Sequence, residues 1–259
     1  TELRGALDPV AFAIERLDFA PDRWQVEVLH SAGNLLLNCS RQAGKSTTTA
    51  ILATHTALYK PGALVLLGSP SLRQSRELFT KVSDFISRLE PAPTLEEDNK
   101  LSLTLANGSR VVSLPGSGET VRGFSAPDLI IEDEAAFVED SFYTAVRPML
   151  AVSGGRLILL TTPHGKRGHF HEAWIQGGDE WTRIEVPAQD CPRIDLAFLE
   201  AEKLALGEWG FRQEYLCEFL ETHDQVFRQR DIERAFSDDV KPLFPADADH
   251  SPPPFFQEN

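Results

Sequence analysis

The chain reads Leu35-Leu36-Leu37-Asn38-Cys39-Ser40-Arg41-Gln42-Ala43-Gly44-Lys45-Ser46 from residue 35 to residue 46. An apolar run, a short loop and a Gly-Lys-Ser ending predict a β-strand, a tight turn and the start of an α-helix. Backbone N–H groups of such a turn converge on phosphate oxygens, and the helix start adds the positive end of its dipole. The usual pattern begins with a glycine, but Cys39 stands there, so this stretch needs support from elsewhere in the chain.

That support comes from a second apolar run, residues 129–135, which ends in adjacent carboxylates. Parallel strands bind ligands at their carboxyl ends, so the two stretches are expected at neighbouring strand tips of one sheet. Lys45 would reach the terminal phosphates of ATP, and Ser46 and Asp133 would hold Mg²⁺. Glu134 would polarise the water that attacks the γ-phosphate. Together the two stretches predict an ATP hydrolase.

Glu132 and a group of histidines do not fit this scheme. A charged residue late in a buried strand is costly unless it faces water or a partner, which makes Glu132 unexpected. Three histidines, His164, His169 and His171, surround the basic pair Lys166 and Arg167. We interpret this segment as a flexible basic loop and not as a metal site.

Composition limits the class of protein. The chain has 259 residues, enough to bury a full core, and a formal net charge of −14, which disfavours nonspecific attraction to nucleic acid. Its three cysteines are too few for a disulfide framework, which fits a reducing cytosol. No apolar run is long enough for a membrane span, and no signal sequence precedes the first helix, so neither a membrane partner nor export is expected.

The order of predicted elements indicates an α/β protein with a mostly parallel sheet flanked by helices. Helices are predicted at residues 45–59, 71–89 and 143–150, and one lead-in helix within residues 1–20. Further strands are predicted at residues 63–68, 156–162 and 181–186, and a β-hairpin at 101–114 is expected to be inserted between parallel units.

The same pattern predicts three parts of the chain. Residues 1–190 form the core with its lead-in helices and hairpin. Residues 191–236 form a small helical linker subdomain, with breaks near Gly207 and Gly210. Residues 237–259 are rich in proline and aspartate and are expected to be a flexible tail.

Five short motifs occur in a characteristic order: residues 24–25, 40–46, 121–123, 131–137 and 161–165. In this order and spacing the chain resembles the ATPase half of a large terminase subunit, the motor that pumps DNA into procapsids of tailed phages. The resemblance covers roughly residues 20–220 and includes residues 211–219, which lead into that family's nuclease domain. It implies a P-loop NTPase fold of the ASCE/RecA-like type.

The resemblance also implies roles for individual residues. Trp24 and Gln25 match the segment that recognises adenine. Arg41 matches an arginine kept near the phosphates, and Arg122 matches an arginine thought to act on the ATP of a neighbouring subunit. Thr162, with Thr161 before it, matches the motif that senses the γ-phosphate. The loop positions expected to contact the nucleotide are Ser40, Gln42, Ala43, Gly44, Lys45, Ser46 and Thr47.

The resemblance implies partners as well. These are double-stranded DNA, a portal protein, a small terminase subunit and further copies in a ring, although the isolated chain is expected to be monomeric and slow. The place of action would be the host cytoplasm and, transiently, the procapsid portal. Nothing after Glu221 predicts the strands of a nuclease domain, so we expect a truncated chain or one separated from its nuclease. Candidate DNA contacts are Arg73, Arg76, Lys81, Lys100 and Arg110.

Two other classes of protein remain open at this point. A DEAD-like helicase shares the tryptophan/glutamine lead, the phosphate loop and an acidic box, but it needs a second lobe for which few residues remain. A nucleotide-binding module without hydrolysis would serve assembly only. Glu134 disfavours that second alternative because binding alone requires no water-polarising base.

Overall fold

Strands and helices alternate along the chain, as the sequence predicted. The structure, a computed structural model, describes residues 2–221. The α-helices of these residues are α1 Glu2–Leu7, α2 Pro9–Leu17, α3 Arg23–His30, α4 Lys45–Tyr59, α5 Leu72–Ser87, α6 Gly118–Val121, α7 Asp140–Ser153, α8 Gly168–Gln176 and α9 Leu196–Leu216. The β-strands are β1 Asn34–Cys39, β2 Leu64–Ser69, β3 Leu95–Asp98, β4 Ser102–Leu105, β5 Arg110–Pro115, β6 Leu129–Asp133, β7 Arg156–Thr161 and β8 Trp181–Val186. Short 3₁₀ helices occupy Ala135–Phe137, Gly178–Glu180 and Ala188–Asp190.

Within the described part of the chain the strands form one sheet in the order β3-β4-β5-β2-β6-β7-β1-β8. From β5 to β8 every neighbouring pair is parallel, and only β3, β4 and β5 pair antiparallel. The predicted α/β class with a mostly parallel sheet is therefore confirmed. Parallel order brings the carboxyl ends of β2, β6, β7 and β1 to a common edge.

The predicted hairpin exists as β4 and β5, which follow β2 and precede β6 along the chain. Its second strand, β5, pairs in parallel with β2 and so belongs to the main sheet. Its first strand, β4, pairs with the edge strand β3, which the sequence analysis missed. All four residues of β3 are exposed, so the strand carries no apolar alternation from which it could have been recognised.

Helices cover both faces of the sheet. One apolar layer contains Leu37 and Ile131 together with Ile51 of α4, and the other contains Leu36 and Ile130 together with Phe142 of α7. Successive strand residues point to opposite faces. Asp133 therefore shares a face with α4, whereas Glu132 shares a face with α7 and α8.

Most predicted helices are found close to their predicted bounds, and α4 matches its bounds at both ends. The single lead-in helix was wrong, because Asp8 caps a new helix whose first residue is Pro9. Pro9 suits a first helical position, where its missing N–H is not needed. The predicted break in the last helical segment is a kink inside α9 at Gly207, which has φ 69° and ψ 172°.

Contacts along the chain separate Thr1–Leu220 from Glu221–Asn259, so residues 191–220 group with the sheet. The division predicted after residue 190 stays a prediction. The remainder of the predicted linker subdomain, residues 222–236, and the predicted tail, residues 237–259, lie outside the described residues. No helix among residues 2–221 is both long enough and apolar enough to span a membrane.

Candidate nucleotide-binding site

The loop between β1 and α4 has the backbone of a phosphate-binding turn. Gly44 is the N-cap of α4 and has φ 94°, a conformation that glycine adopts without the steric cost of a Cβ atom. Gln42 also has a positive φ, 60°. The free N–H groups at the start of α4 therefore lie at the end of this turn, where an anion is favoured.

The structure brings the main predicted side chains together. Lys45 Nζ lies 2.9 Å from Glu134 Oε1 and donates a hydrogen bond to Thr162 Oγ1 at 3.2 Å. Ser46 Oγ donates to Asp133 Oδ2 at 2.8 Å. Residues far apart in sequence thus meet at the carboxyl edge of the sheet.

The strands that carry them are not neighbours, so that part of our expectation was wrong. β7 lies between β6 and β1, with Asp133 opposite Leu160 and Leu37 opposite the same residue. Thr162 follows β7 directly and for this reason lies between the phosphate loop and the acidic residues. Its hydroxyl accepts the hydrogen bond from Lys45 described above.

The pKa values of Asp133 and Lys45 are shifted in this site. Burial, followed by repulsion from Glu134, raises the pKa of Asp133 to about 6. Burial lowers the pKa of Lys45, but the attraction of Glu134 and Asp133 outweighs it, so that pKa is raised. A protonated lysine therefore faces two carboxyl groups in a partly dehydrated site, which is the arrangement expected where phosphate charge is to be bound.

Glu134 occupies a left-handed backbone conformation, φ 55° and ψ 43°, which is uncommon outside glycine. Its N–H donates to Asp133 Oδ1 at 3.0 Å. This turn ends β6 abruptly and directs the Glu134 side chain back towards Lys45. The two adjacent carboxylates thus have different surroundings, since Asp133 is buried and Glu134 is partly exposed.

A cavity of about 740 Å³ opens over these residues. That volume falls within the range of ordinary small-molecule sites, about 300–1,000 Å³. Its lining residues are Arg41, Gln42, Gly44, Lys45, Ser46, Thr47, Pro70, Gln74, Lys81, Glu134, Phe137, Thr162 and Glu214. Phe137 and Glu214 were missed as site residues although both lie inside motifs quoted above, because neither residue type alone indicates phosphate chemistry. Lys81 donates to Thr47 Oγ1 at 3.4 Å, so it faces this cavity, although we had considered it for DNA.

Arg41 lines the cavity but is paired with Glu214 of α9. The guanidinium forms an ion pair with the Glu214 carboxylate, and the Arg41 N–H donates to the Glu214 carbonyl oxygen at 3.0 Å. The Glu214 side chain raises the pKa of Arg41. The last helix is thus connected directly to the phosphate loop.

Trp24 and Gln25 do not line the cavity. Trp24 is buried in the core, 7% exposed, and Gln25 is buried as well. The Gln25 amide donates to Thr48 Oγ1 at 3.0 Å and accepts from the Asp22 N–H at 2.8 Å, which caps α3. In this arrangement both ends of the amide are occupied, and the adenine role of the two residues stays a prediction.

Ser40 and Ala43 contact residues 191 and 193 and do not face the cavity. The Ser40 hydroxyl lies 3.9 Å from Cys191 Sγ, and the Ala43 carbonyl oxygen accepts from Arg193 Nη2 at 2.6 Å. Arg193 also lies 2.7 Å from Asp22 Oδ2 in an ion pair. Among the loop positions predicted to contact a nucleotide, these two are buried and absent from the cavity lining.

Arg122 is exposed at the end of α6 and does not line the cavity of its own chain. Thr161, by contrast, is buried, and its hydroxyl accepts from the Ala136 N–H at 3.3 Å. Thr161 thus connects the end of β7 to the residues that follow the acidic strand.

The histidine segment is a loop only in part: His164, Lys166 and Arg167 precede α8, whereas His169 and His171 belong to it. His169 is the second residue of α8 and is buried, 4% exposed, between Glu132 and Asp140. Burial raises the pKa of Glu132, and for His169 the two carboxylates outweigh burial, so its pKa is raised. The partner required by Glu132 is therefore a histidine. No group of three or more histidine, cysteine or acidic side chains among residues 2–221 has a metal-binding arrangement.

Oxygen donors at the loop fit a magnesium ion. The Ser46 hydroxyl and the Asp133 carboxylate are 2.8 Å apart, and hard oxygen ligands of this kind are those that Mg²⁺ prefers. Such an ion usually keeps several waters and is held by one or two protein oxygens together with substrate phosphates. The residues present are therefore compatible with Mg²⁺ bound jointly with a nucleotide.

A parallel sheet with a glycine-lysine-serine turn at its carboxyl edge defines the class of P-loop nucleotide-binding proteins. Residues 36–234 match a family model described as "Terminase large subunit, T4likevirus-type, N-terminal". The chain belongs to this family of large terminase subunits.

Individual relatives agree with this assignment. The chain is 26% identical over 254 residues to a large terminase subunit of Thermus phage G20c, covering 84% of this chain and 52% of that one. It is 28% identical over 196 residues to that of Escherichia phage T5, covering 73% and 44%. The chain thus spans about half the length of the curated relatives it matches.

Solved structures show the same fold. The large terminase ATPase domain of Thermus phage P74-26 aligns with a TM-score of 0.72 at 22% identity, covering 82% of this chain and 99% of that one. A large terminase from a thermophilic bacteriophage, solved in complex with ADP, aligns with a TM-score of 0.66 at 14% identity, covering 77% and 54%.

Proposed function

We propose that this chain is the ATPase motor part of a large terminase subunit, which hydrolyses ATP with Mg²⁺ and drives double-stranded viral DNA into a procapsid. The observation that carries the proposal is that Lys45, Ser46, Glu134 and Thr162 line one cavity, with Asp133 hydrogen-bonded to Ser46. Family membership supports it. Solved structures similar to this chain include large terminases in complex with ADP and with ATP-γ-S.

Each residue has a role that follows from its surroundings. The first-turn N–H groups of α4 bind phosphate oxygens, and Lys45 neutralises the terminal phosphates. Glu134, partly exposed at the cavity, accepts a hydrogen bond from the attacking water and orients it. Thr162 contacts Lys45 and lies where it can respond to a terminal phosphate. Ser46 and Asp133 would hold Mg²⁺, whose charge would offset that of the phosphates.

Two arginines stabilise transferring charge in this proposal. Arg41 lies at the cavity and would turn from Glu214 towards the phosphates. Arg122 is exposed and does not line the cavity of its own chain, which suits a residue that serves the site of a neighbouring copy. We therefore include a homo-oligomeric ring in the proposal, with the isolated chain monomeric and slow.

The remaining parts of the proposal concern partners and place. DNA contacts must come from a local basic patch, since the formal net charge is −14. Arg73 and Arg76 are exposed on α5, and Lys100 and Arg110 are exposed at the hairpin. A portal protein and a small terminase subunit complete the assembly, which acts in the host cytoplasm at the procapsid portal. Residues 191–236 would connect the core to a nuclease domain.

The proposal is tested by ATP turnover with and without Mg²⁺ and double-stranded DNA. We expect Mg²⁺-dependent phosphate release that DNA stimulates, and Lys45→Ala should lose both ATP affinity and turnover because its charge is directed at the phosphates. Lys203→Ala is a matched control, since Lys203 pairs with Glu208 on α9, away from the cavity. Turnover by Lys45→Ala at the parental rate would refute the assignment.

A further inference from the structure

Glu132 is a buried carboxylate for which the proposed function has no use. It is 0% exposed, and its Oε2 atom has no hydrogen-bond partner among the described residues. It lies one residue before Asp133 but faces the opposite side of the sheet, towards α7 and α8. A buried carboxylate oxygen without a hydrogen bond lowers the free energy of unfolding, so Glu132 destabilises the folded chain at this atom.

The partner of Glu132 is the ring of His169. His169 Nε2 lies 2.6 Å from Glu132 Oε1, and Nδ1 lies 2.9 Å from Asp140 Oδ1. Tyr143 stacks on the ring with centroids 4.8 Å apart and an interplanar angle of 13°. Since both ring nitrogens face carboxylate oxygens, a doubly protonated ring satisfies both contacts. Its orientation is therefore fixed on both edges and on one face.

These contacts join three elements at the edge of the sheet that carries the site. Glu132 belongs to β6, Asp140 is the first residue of α7, and His169 is the second residue of α8. The His169 N–H also donates to Asp140 Oδ1 at 3.0 Å. α8 begins soon after Thr162, so the ring connects the strand of Asp133 to the segment that carries the predicted phosphate sensor.

Stability alone explains this arrangement poorly. A buried ion pair is often no more stabilising than well-packed apolar residues of the same volume, because both charges must be dehydrated. What the pair does supply is a fixed geometry. Apolar contacts would hold α8 against β6 but would not fix the position and side-chain orientation of one residue in that strand.

We infer that His169 is a positioning residue. It holds Glu132 on the α7 and α8 face of the sheet, so that the next two residues, Asp133 and Glu134, stay directed at Ser46 and Lys45. This inference rests on the proposed function and adds a residue to it. His169 does not contact the cavity, and its effect on hydrolysis is exerted entirely through β6 and the residues that follow it.

The experiment compares Glu132→Gln and His169→Gln with Arg156→Gln as a matched control. Arg156 is partly buried and hydrogen-bonded, with Nη2 donating to Ser31 Oγ at 2.6 Å, but it is the first residue of β7, at the end of the strand away from Thr162. For each variant we would measure kcat and KM for ATP, the melting temperature, and hydrogen exchange of the peptide covering residues 129–137.

Loss of a side chain that orients functional groups typically lowers activity about 10- to 100-fold, so we expect kcat to fall by that factor with KM changed less than about twofold. Exchange of residues 129–137 should be faster in both site variants. Arg156→Gln should lower the melting temperature and leave kcat unchanged. Because Arg156 lies opposite Leu129, this variant should speed exchange of residues 129–137 less than the site variants do. Where a site variant does not fold, Asp140→Asn removes only the more exposed contact and should give a smaller fall in kcat.

Two results would overturn the inference: parental kcat in folded Glu132→Gln or His169→Gln, or equal losses of kcat in these variants and in Arg156→Gln. If the parent chain hydrolyses no ATP, the proposed function fails on its own. Exchange then decides the inference, because a positioning residue must loosen residues 129–137 more than the control does.

Discussion

Lys45 and Glu134 form an ion pair in the site, and this pairing has consequences for both residues. A phosphate that binds the phosphate loop competes with Glu134 for Lys45. Once Lys45 has turned to the phosphate, the Glu134 carboxylate is available to a water. In the proposed mechanism the same contact would link ATP binding to the availability of Glu134 as the base.

We expect Glu134→Gln to bind ATP at least as tightly as the parent chain but to hydrolyse it far more slowly. The amide removes a carboxylate that competes for Lys45, and it cannot accept a proton, a loss typically worth about 10²- to 10⁴-fold in rate. Single-turnover hydrolysis and equilibrium binding of ATP measure the two effects separately. Glu139→Gln, an exposed neighbour at the start of α7, is the control. A Glu134→Gln chain that hydrolyses ATP at the parental rate would rule out Glu134 as the base.

At the residue scale the sequence indicated the charged and hydroxyl side chains of the phosphate-binding motifs. It did not indicate side chains whose surroundings depend on how distant elements pack. Lys45, Ser46, Asp133 and Glu134 are recognisable because their residue types follow strands in a known spacing. Trp24 is different, since an aromatic at a helix start fits a core as well as a binding site. The burial of His169 depends on how α8 packs against β6, which no local pattern contains.

Among the elements, α1 and α2 pack against α4, and His55 lies at that contact. His55 Nε2 is 2.9 Å from the Gly5 carbonyl oxygen, and its ring lies against Phe12 and Tyr59. Burial lowers the pKa of His55, although its hydrogen bond to Gly5 acts in the opposite direction. The folded chain therefore favours a neutral ring at this position.

This gives a pH dependence with a definite sign. Because the folded pKa lies below the unfolded value of about 6.5, the stabilisation is complete above that pH and is lost as the pH falls towards the folded pKa. We expect urea unfolding at pH 7.5 and at pH 5.5 to show a larger loss of stability for the parent chain than for His55→Gln. Equal losses in the two chains would show that His55 does not titrate in this way.

The elements themselves were predicted unevenly. α4 and α5 were found because apolar residues recur at helical spacing over several turns. β3 was not, since an exposed edge strand of four residues has no buried face. The end of α9 lies beside the phosphate loop through Glu214 and Arg41, a contact across the fold that sequence periodicity does not encode.

On the scale of the whole molecule, the two predicted arginines are placed differently. Arg41 lines the cavity of its own chain, whereas Arg122 is exposed and outside that lining, so in the proposed ring Arg122 would act on the cavity of another copy. Activity should then depend on how many subunits meet.

Mixing two inactive variants tests this dependence. Arg122→Ala keeps an intact loop but offers no arginine, whereas Lys45→Ala cannot bind ATP but still offers Arg122. An arginine of this kind is typically worth about 10³- to 10⁵-fold in rate, so each variant alone should be nearly inactive and the mixture should regain turnover. Phosphate release is measured at fixed total protein, with each variant at doubled concentration as the control. A mixture no more active than its components would contradict an arginine supplied by a neighbour.

The exposed edge strand β3 affects how copies of the chain can associate. An exposed edge offers unpaired N–H and C=O groups to any other strand, and it is a common route to aggregation. Here three consecutive carboxylates, Glu96, Glu97 and Asp98, occupy that edge. Two copies approaching edge to edge would bring these carboxylates together, so their repulsion disfavours extension of the sheet from one copy to the next.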